Sequence, residues 1–448
     1  MNSGDLPLDA TSVDMARRPA AVSLNGFVLE GLCDVDALAD AVTAIQDDRP
    51  ELRSRLVDAG TLVSKGYAWR PGAPAEPRIV DLGDLDDFGR DYSAVIDRIF
   101  DRQCTWDLRT HRPFEVTIAR LSGEKTFLSL DLHHAVGDAE TNFSCVKAIL
   151  AGYHLRVTGT NPEWARRDSL ASTAGTARAK AASFTTVVKY LREFAQTYPA
   201  DRLTRAHGTS GAQRERIAAR VTIDDPEIQR TIRERARAQG ATITDLTLAA
   251  TMRAIATWNR SNGADVDVQR GAIAVNRRSA GGRGNNEISM VVAASLSRDL
   301  DDRDALMGNL AAQRIHGLEL GIDGGLANAL RNVTTLSTLR PLHVIAERRA
   351  ASRTGPPGTA MLTNVGVLWP EIVDGRPTAR SFLAEAGGLR LVDIVVVPNL
   401  DSSGALMLIP MTFNGRFQVV VAGNTARIRQ EELNALTDLV ADEIVAYA

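Results

Sequence analysis

The chain has 448 residues, of which 44% are hydrophobic and 24% are charged. A globular chain of this length typically folds as two domains or as one two-lobed unit. The 52 basic and 55 acidic side chains give a net charge of −3, so the composition gives no support for nucleic acid as a partner.

The cysteines and the N-terminus indicate a reducing compartment. Cys33, Cys104 and Cys145 are widely spaced and form no CxxC pair, which disfavours a disulfide framework and a zinc cluster. Residues 1–19 lack the basic start and apolar core of a signal peptide, and no stretch approaches the roughly 20 apolar residues of a membrane helix. We therefore expect a cytoplasmic protein without a metal site, although its substrates could still be lipids.

The first part of the chain alternates between strand and helix patterns. Residues 21–30 predict a strand, a helix begins near Asp36, and Pro50 marks the end or restart of that helix. Residues 125–132 predict a second strand, and another helix follows Asp138. The predicted buried stripe of that helix is Phe143, Val146, Leu150 and Tyr153.

The composition between residues 158 and 211 turns small, polar and basic, which is typical of a linker, and a helix near residues 184–198 interrupts it. We therefore expect an N-terminal lobe over residues 1–165, a linker with a helix over 166–211, and a C-terminal lobe over 212–448.

The second half again mixes strands and helices. Thr242 and Asp245 form a capping-box pattern at the start of a helix, and Asn414-Gly415 predicts a two-residue hairpin. The run 391–397 is almost unbroken in its apolar character, so it predicts a strand buried on both faces. The other predicted elements are strands at 215–223, 269–275, 288–296, 406–413 and 417–422, and helices at 226–239 and 429–447.

The residues best suited to catalysis follow the strand at 125–132. His133 and His134 end this strand, and Gly137 and Asp138 come within the next turn. The unperturbed pKa of histidine is the one nearest neutrality, so its side chain can take a proton from a hydroxyl or an amine. A buried aspartate nearby can orient such a site or brace its loop. The spacing matches HHxxxD, the signature of acyltransferases that act on thioesters.

Further segments extend this resemblance in the same chain order. Residues 49–56 resemble the RHPxLRxRF segment of condensation domains and polyketide-associated acyltransferases. Residues 241–259, 274–278, 362–366 and 412–417 resemble a helix, a strand end, an S/T-N-x-G loop and a hairpin of those families. The chain is thus similar to the superfamily that includes chloramphenicol acetyltransferase, condensation domains, wax-ester synthases and polyketide-associated acyltransferases.

The resemblance implies an α/β (α+β) fold. Two chloramphenicol-acetyltransferase-like lobes would form a pseudo-dimer with an active-site tunnel between them. His134 would be the general base that deprotonates the acceptor as it attacks the thioester, without an acyl-enzyme. Asp138 would form a structural salt bridge with a distant arginine, for which Arg277 is the first choice and Arg278 the second.

The resemblance also implies substrate-binding roles for Gly137 and Asn364, and several alternatives stay open. Asn364 could instead only shape its turn, and Asp138 could cap the following helix. His133, although part of the catalytic pair, suits a structural histidine better. Ala139 stands where the superfamily usually has glycine, so the loop or the tunnel mouth is expected to differ if that glycine needs a positive φ.

The leading functional interpretation is an acyltransferase that moves an acyl group from acyl-CoA or an acyl carrier protein to a hydroxyl or amine. The acceptor would be a specialised metabolite or a lipid, which is compatible with peripheral contact with membrane lipids. No permanently bound cofactor is expected, because the thioester of CoA or phosphopantetheine is itself the donor. The alternatives are a stand-alone condensation enzyme that forms an amide from carrier-bound thioesters, and a non-catalytic scaffold homologue.

Overall fold

A computed structural model describes most of the chain. The described residues are 4–60, 66–83, 97–100, 105–166, 180–211, 215–277, 288–336, 358–374, 376–383, 385–398 and 405–448. All structural statements below refer to these residues.

The first large sheet has six strands in the order β15-β16-β2-β7-β6-β5. Its strands are β2 (Val22–Glu30), β5 (Arg78–Leu82), β6 (Phe114–Leu121), β7 (Lys125–His133), β15 (Glu385–Ala386) and β16 (Leu389–Val397). β2 lies antiparallel to β7 over its whole length, with Val22 opposite His133. β15 and β16 come from the second half of the chain. β16 pairs with the edge of β2 that does not face β7, and so joins them to this sheet.

The second large sheet has seven strands. Six follow the order β10-β9-β11-β17-β18-β8, and β12 also pairs with β17. These strands are β8 (Arg216–Ile223), β9 (Val268–Asn276), β10 (Ile288–Leu296), β11 (Ala360–Leu362), β12 (Gly366–Val367), β17 (Leu406–Phe413) and β18 (Arg416–Asn424). Two small sheets complete the strands: β1 (Leu6–Pro7), β3 (Ser54–Asp58) and β4 (Tyr67–Pro71), and the pair β13 (Pro370–Val373) and β14 (Arg376–Ser381).

Helices pack against each large sheet. We number the α-helices α1 (Ala10–Ala16), α2 (Val35–Asp48), α3 (Ala139–Thr158), α4 (Phe184–Thr197), α5 (Pro226–Ala238), α6 (Ile243–Ser261), α7 (Arg303–Glu319), α8 (Ile322–Leu336) and α9 (Gln430–Val445). Short 3-10 helices lie at Pro50–Arg53, Glu163–Arg166, Ala200–Arg202 and Ser297–Asp299. α2 and α3 pack on the first sheet, whereas α6, α7 and α9 pack on the second. None of these helices is both long and apolar enough to cross a membrane.

The mixed helix-and-strand prediction is confirmed, and many elements lie within two residues of their predicted bounds. The helix predicted after Asp138 is α3, and all four residues of its predicted stripe are buried. The capping box of Thr242 and Asp245 is present, and Asn414 and Gly415 both have positive φ in the turn between β17 and β18. The predicted strand at 391–397 is β16. Its last four residues are buried, whereas Val392 and Asp393 are half-buried, so only the second part of the strand is buried on both faces.

An aromatic cluster joins the two large sheets. The ring of Trp369 lies 6.2 Å from that of Phe27 on β2, 5.7 Å from Phe143 on α3 and 6.0 Å from Phe413 on β17. Trp369 is fully buried. Because aromatic pairs at such distances stabilise beyond their buried area, this residue is expected to hold the two halves together.

We predict that Trp369→Ala lowers the free energy of unfolding by about 3–5 kcal/mol, because it leaves a cavity at the junction of both sheets. Denaturant unfolding measures this change. Trp369→Phe keeps a ring in place and should cost less, and Leu32→Ala, at a side chain 79% exposed, is the surface control. A loss at Trp369→Ala no larger than that of the control would contradict the assignment.

Candidate active site

The histidine pair lies where β7 gives way to a tight turn. The His133 N–H donates to the carbonyl of Pro113 at 2.8 Å, and the Val136 N–H donates back to the carbonyl of His133 at 3.0 Å. The turn therefore starts from a strand edge that is itself hydrogen-bonded. This fixes the direction in which His134 leaves the sheet.

His133 is a structural residue in this arrangement. Its side chain is fully buried, and both ring nitrogens have protein partners. Nε2 donates to the carbonyl of Arg18 at 3.1 Å, and Nδ1 accepts from the N–H of Ala135 at 3.1 Å. Burial, followed by the neighbouring His134, lowers its pKa to about 3. The ring is thus neutral and engaged on both sides, as the structural alternative predicts.

His134 has a defined tautomer. Its Nδ1 lies 3.1 Å from the carbonyl of Gly137, and a carbonyl can only accept, so Nδ1 carries the proton. The lone pair of the neutral ring is therefore on Nε2. Burial is the main cause that lowers the pKa of His134 to about 4, and the nearby cations Arg216 and Arg18 contribute. The half-buried ring is unprotonated at neutral pH, as a general base must be.

Main-chain carbonyls just before β2 hold both histidines. We call residues 18–22 the strap. The carbonyl of Arg18 accepts from the His133 ring, and the carbonyl of Ala21 accepts from the His134 N–H at 2.7 Å. The strap therefore fixes one histidine by its side chain and the other by its backbone.

The residues after the pair begin helix α3. Asp138 is the N-cap of α3 and accepts from the Thr141 N–H at 3.3 Å, so its predicted capping role is confirmed. Gly137 is needed for space, because a Cβ there would lie 2.3 Å from the side chain of Thr141. Ala139 is the first residue of α3 and has a helical backbone, so the chain needs no glycine with a positive φ at this position.

The prediction that Arg277 pairs with Asp138 is wrong. Arg277 follows β9 and forms an ion pair with Asp323, in the first turn of α8. The helix dipole also favours a carboxylate at this position in the first turn. The second choice, Arg278, lies outside the described residues.

Asn364 shapes its turn, as the alternative predicts. Its side-chain oxygen accepts from the Gly366 N–H at 2.8 Å, and its amide donates to Thr244, near the start of α6, at 2.8 Å. Its amide group thus joins a loop of the second sheet to a helix. Substrate binding by Asn364 and Gly137 stays a prediction.

The second half of the chain contacts segments on either side of the histidine pair in sequence. Arg216, the first residue of β8, donates to two carbonyls of the strap. Asn276, at the end of β9, donates to Glu140 in the first turn of α3 at 3.0 Å. His134 therefore lies at the junction of the two halves. The sequence interpretation did not single out these contacts, although an arginine opening an apolar strand is an unusual enough residue to notice.

A cleft of about 610 Å³ lies in the first half of the chain. Its lining includes Asp131, Glu115, Phe100 and Trp106, but not His134. Asp131 was also missed by the sequence interpretation, although a carboxylate inside an apolar strand is a visible signal. The tunnel beside His134 stays a prediction, because neither His133 nor His134 lines this cleft.

The buried Asp131 carboxyl is expected to make stability depend on pH. Burial is the first cause that raises its pKa to about 7, with Glu115 adding to the shift, while Ser129 donates to it at 3.1 Å. Since this pKa lies above its unfolded value, the folded state holds a proton that the unfolded state releases between pH 4 and pH 7. Ionising this group therefore destabilises the fold as the pH rises.

We predict that Asp131→Asn raises the free energy of unfolding at pH 8 by on the order of 2–4 kcal/mol. The gain over the unmodified protein should grow from about pH 4 to pH 7 and then stay constant. Chemical unfolding at several pH values measures it, with Asp81→Asn on exposed β5 as the matched control. A gain that is the same at pH 4 and pH 8 would contradict the raised pKa.

No protein-family model matches the chain, and no curated protein matches it. Solved structures do. The first condensation domain of the CDA synthetase is 15% identical, covers 99% of this chain and 96% of its own, and superposes with a TM-score of 0.68. Polyketide synthase associated protein 5 from Mycobacterium tuberculosis is 14% identical, with 99% of both chains covered and a TM-score of 0.63.

A third similar structure carries ligands. It is a mutant starter condensation domain of rhizomide synthetase in complex with C8-CoA and Leu-SNAC. This domain is 14% identical, covers 99% of this chain and 95% of its own, and has a TM-score of 0.63. At such identities the likeness concerns the fold. The chain therefore has the two-lobed, chloramphenicol-acetyltransferase-like fold of condensation domains, as its HHxxxD segment and the segments around it predict.

Proposed function

We propose that the protein is an acyltransferase that moves an acyl group from a thioester to a hydroxyl or an amine, with His134 as the general base. The observation that carries this proposal is the bond between His134 Nδ1 and the Gly137 carbonyl. It leaves Nε2 as the basic nitrogen of a ring that is neutral at physiological pH.

The proposed reaction needs no covalent enzyme intermediate. Nε2 of His134 takes the proton of the acceptor as its oxygen or nitrogen attacks the thioester carbonyl. The tetrahedral intermediate then collapses, the carbon–sulfur bond breaks, and the proton passes from Nε2 to the departing thiolate. Holding donor and acceptor together turns a bimolecular reaction into an oriented one, which lowers the barrier by roughly 7–11 kcal/mol in the best cases.

The position of His134 supports a reaction between two substrates. Arg216 on β8 contacts the strap that holds His134, and Asn276 contacts Glu140 in the helix that follows it, so both halves of the chain contribute to its surroundings. We propose that the donor and the acceptor reach it through the tunnel between the lobes. Division into lobes over 1–165 and 212–448, joined by the linker at 166–211, belongs to the same proposal.

The donor is proposed to be a thioester of CoA or of a phosphopantetheine arm. The starter condensation domain of similar fold was solved with C8-CoA, which supports a CoA-linked donor. The same structure holds Leu-SNAC, an aminoacyl thioester, and this favours amide formation as the second candidate. An acceptor of lipid character would bring the protein into contact with membrane lipids, and no bound cofactor is needed for either reaction.

We predict that His134→Asn lowers kcat by about 10²–10⁴-fold, because the asparagine amide can still donate to the Gly137 carbonyl but offers no base in place of Nε2. Thiol release from a panel of acyl-CoAs and amine or alcohol acceptors measures this rate. The same panel is repeated with thioesters loaded on carrier proteins, so that the preferred donor is identified.

The matched control is His133→Asn, which changes the neighbouring histidine in the same way. It leaves the buried Arg18 carbonyl without its ring partner, so it should cost about 1–3 kcal/mol of stability while keeping the base. Equal rates for His134→Asn and the unmodified protein would contradict the proposal. Stable binding of carrier proteins without turnover of any thioester would instead support the scaffold alternative.

A further inference from the structure

Arg216 is a buried cation whose side chain contacts the other half of the chain. It opens β8 in the second sheet, and only 3% of its surface is exposed. Its guanidinium donates to the carbonyl of Ala20 at 2.7 Å and to the carbonyl of Val22. The face of the Phe100 ring lies 5.5 Å from its central carbon. These contacts join positions 194 and 196 residues apart in sequence.

The two carbonyls that Arg216 binds flank the residue that holds the base. Ala21 lies between Ala20 and Val22, and its own carbonyl accepts from the His134 N–H at 2.7 Å. Arg216 and His134 therefore bind three consecutive residues of the strap.

The rest of the strap is also fully engaged. The Pro19 carbonyl accepts from the Trp106 N–H at 2.7 Å, and the Arg18 carbonyl accepts from the Ala21 N–H as well as from the ring of His133. Every carbonyl from residue 18 to residue 22 thus has a donor. Since Arg216 supplies the donors of two of these five carbonyls, it makes more hydrogen bonds to the strap than any other side chain in the described residues.

We propose that Arg216 is a positioning residue, which clamps the strap from the second half of the chain and so fixes the placement of His134. This inference rests on the proposed function only for its effect on rate. Its effect on the histidine is a property of the folded chain alone.

The choice of arginine fits this role. Its planar fork presents several N–H donors at a fixed geometry, so one side chain can reach both carbonyls at once. A lysine carries the same charge as a point and cannot reproduce the fork. Replacing Arg216 by lysine therefore keeps the positive charge but removes the two-carbonyl hydrogen bonding.

The charge of Arg216 acts on the base in a predictable direction. Arg216 and Arg18 are the cations that lower the pKa of His134, and Arg18 is itself paired with Asp14 at 2.7 Å. The other titratable groups near His134 in sequence are His133, the N-cap Asp138 and Glu140 in the first turn of α3. Removing the Arg216 cation leaves the imidazolium less disfavoured, so the pKa of His134 should rise.

The experiment compares Arg216→Met, Arg216→Lys and Arg220→Met in the full chain. Arg220 lies on the same strand and pairs with Asp393 on β16 at 2.6 Å, so its loss breaks another contact between the two large sheets and leaves the hydrogen bonds of Arg216 to the strap in place. The pKa of His134 is read from the NMR titration of its ring protons, and the pH profile of kcat/KM is read from thiol release.

Arg216→Met should raise the pKa of His134 by about one pH unit and move the acidic limb of the pH profile upward by the same amount. Arg216→Lys should keep the pKa of His134 near that of the unmodified protein but lower kcat, because lysine cannot bind both strap carbonyls at once. Arg220→Met should leave both the titration and the pH profile unchanged, whatever its effect on stability.

Two failures are distinguishable. If Arg216→Met leaves the titration of His134 where it is, or shifts it no more than Arg220→Met does, the role of Arg216 is contradicted. Should Arg216→Met fail to fold, the result rests on Arg216→Lys, and an unchanged kcat in that variant overturns the clamp. If the titration moves as expected while no thioester is turned over, the proposed acyl transfer fails but the assignment of Arg216 stands.

Discussion

Five consecutive main-chain carbonyls, those of residues 18–22, hold the candidate active site together. They accept from the ring of His133, the backbone of His134 and the guanidinium of Arg216, which belong to two distant places in the sequence. A buried carbonyl that lacks a donor destabilises the folded state, so the loss of any one of these contacts would cost free energy of folding. The position of the base thus depends on hydrogen bonds to a segment that contributes no catalytic side chain of its own.

The same arrangement sets the charge state of the site. Both histidine rings are kept from protonation by burial, and two arginines nearby oppose a further positive charge. A base with a pKa near 4 is available over the whole neutral range, but it accepts a proton less readily than one with a pKa near 7. The cations therefore favour the neutral ring and disfavour the imidazolium that the proposed reaction would form.

Much of the fold could be predicted from local patterns, because strands and helices here follow the alternation of apolar residues closely. The Asn414-Gly415 hairpin and the helix that begins at Ala139 depend on neighbours in sequence, so their signals are local. The sheet to which β16 belongs could not be predicted, since an unbroken apolar run indicates burial but does not identify a partner strand. The roles of His133 and Asp138 could be anticipated, whereas the partners of Arg216 could not, because they lie about 195 residues away in sequence. The pairing of Arg277 was mistaken for the same reason: its partner Asp323 is 46 residues away, and only the packed structure brings α8 to the end of β9.

The tautomer of His134 tests the account most directly. A long-range nitrogen–proton correlation spectrum of the ring at pH 7 distinguishes a protonated nitrogen from one with a free lone pair. The contact between Nδ1 and the Gly137 carbonyl requires the proton on Nδ1, and Nε2 should then show the shift of an unprotonated nitrogen. A proton on Nε2, or an imidazolium at this pH, would contradict the proposed base.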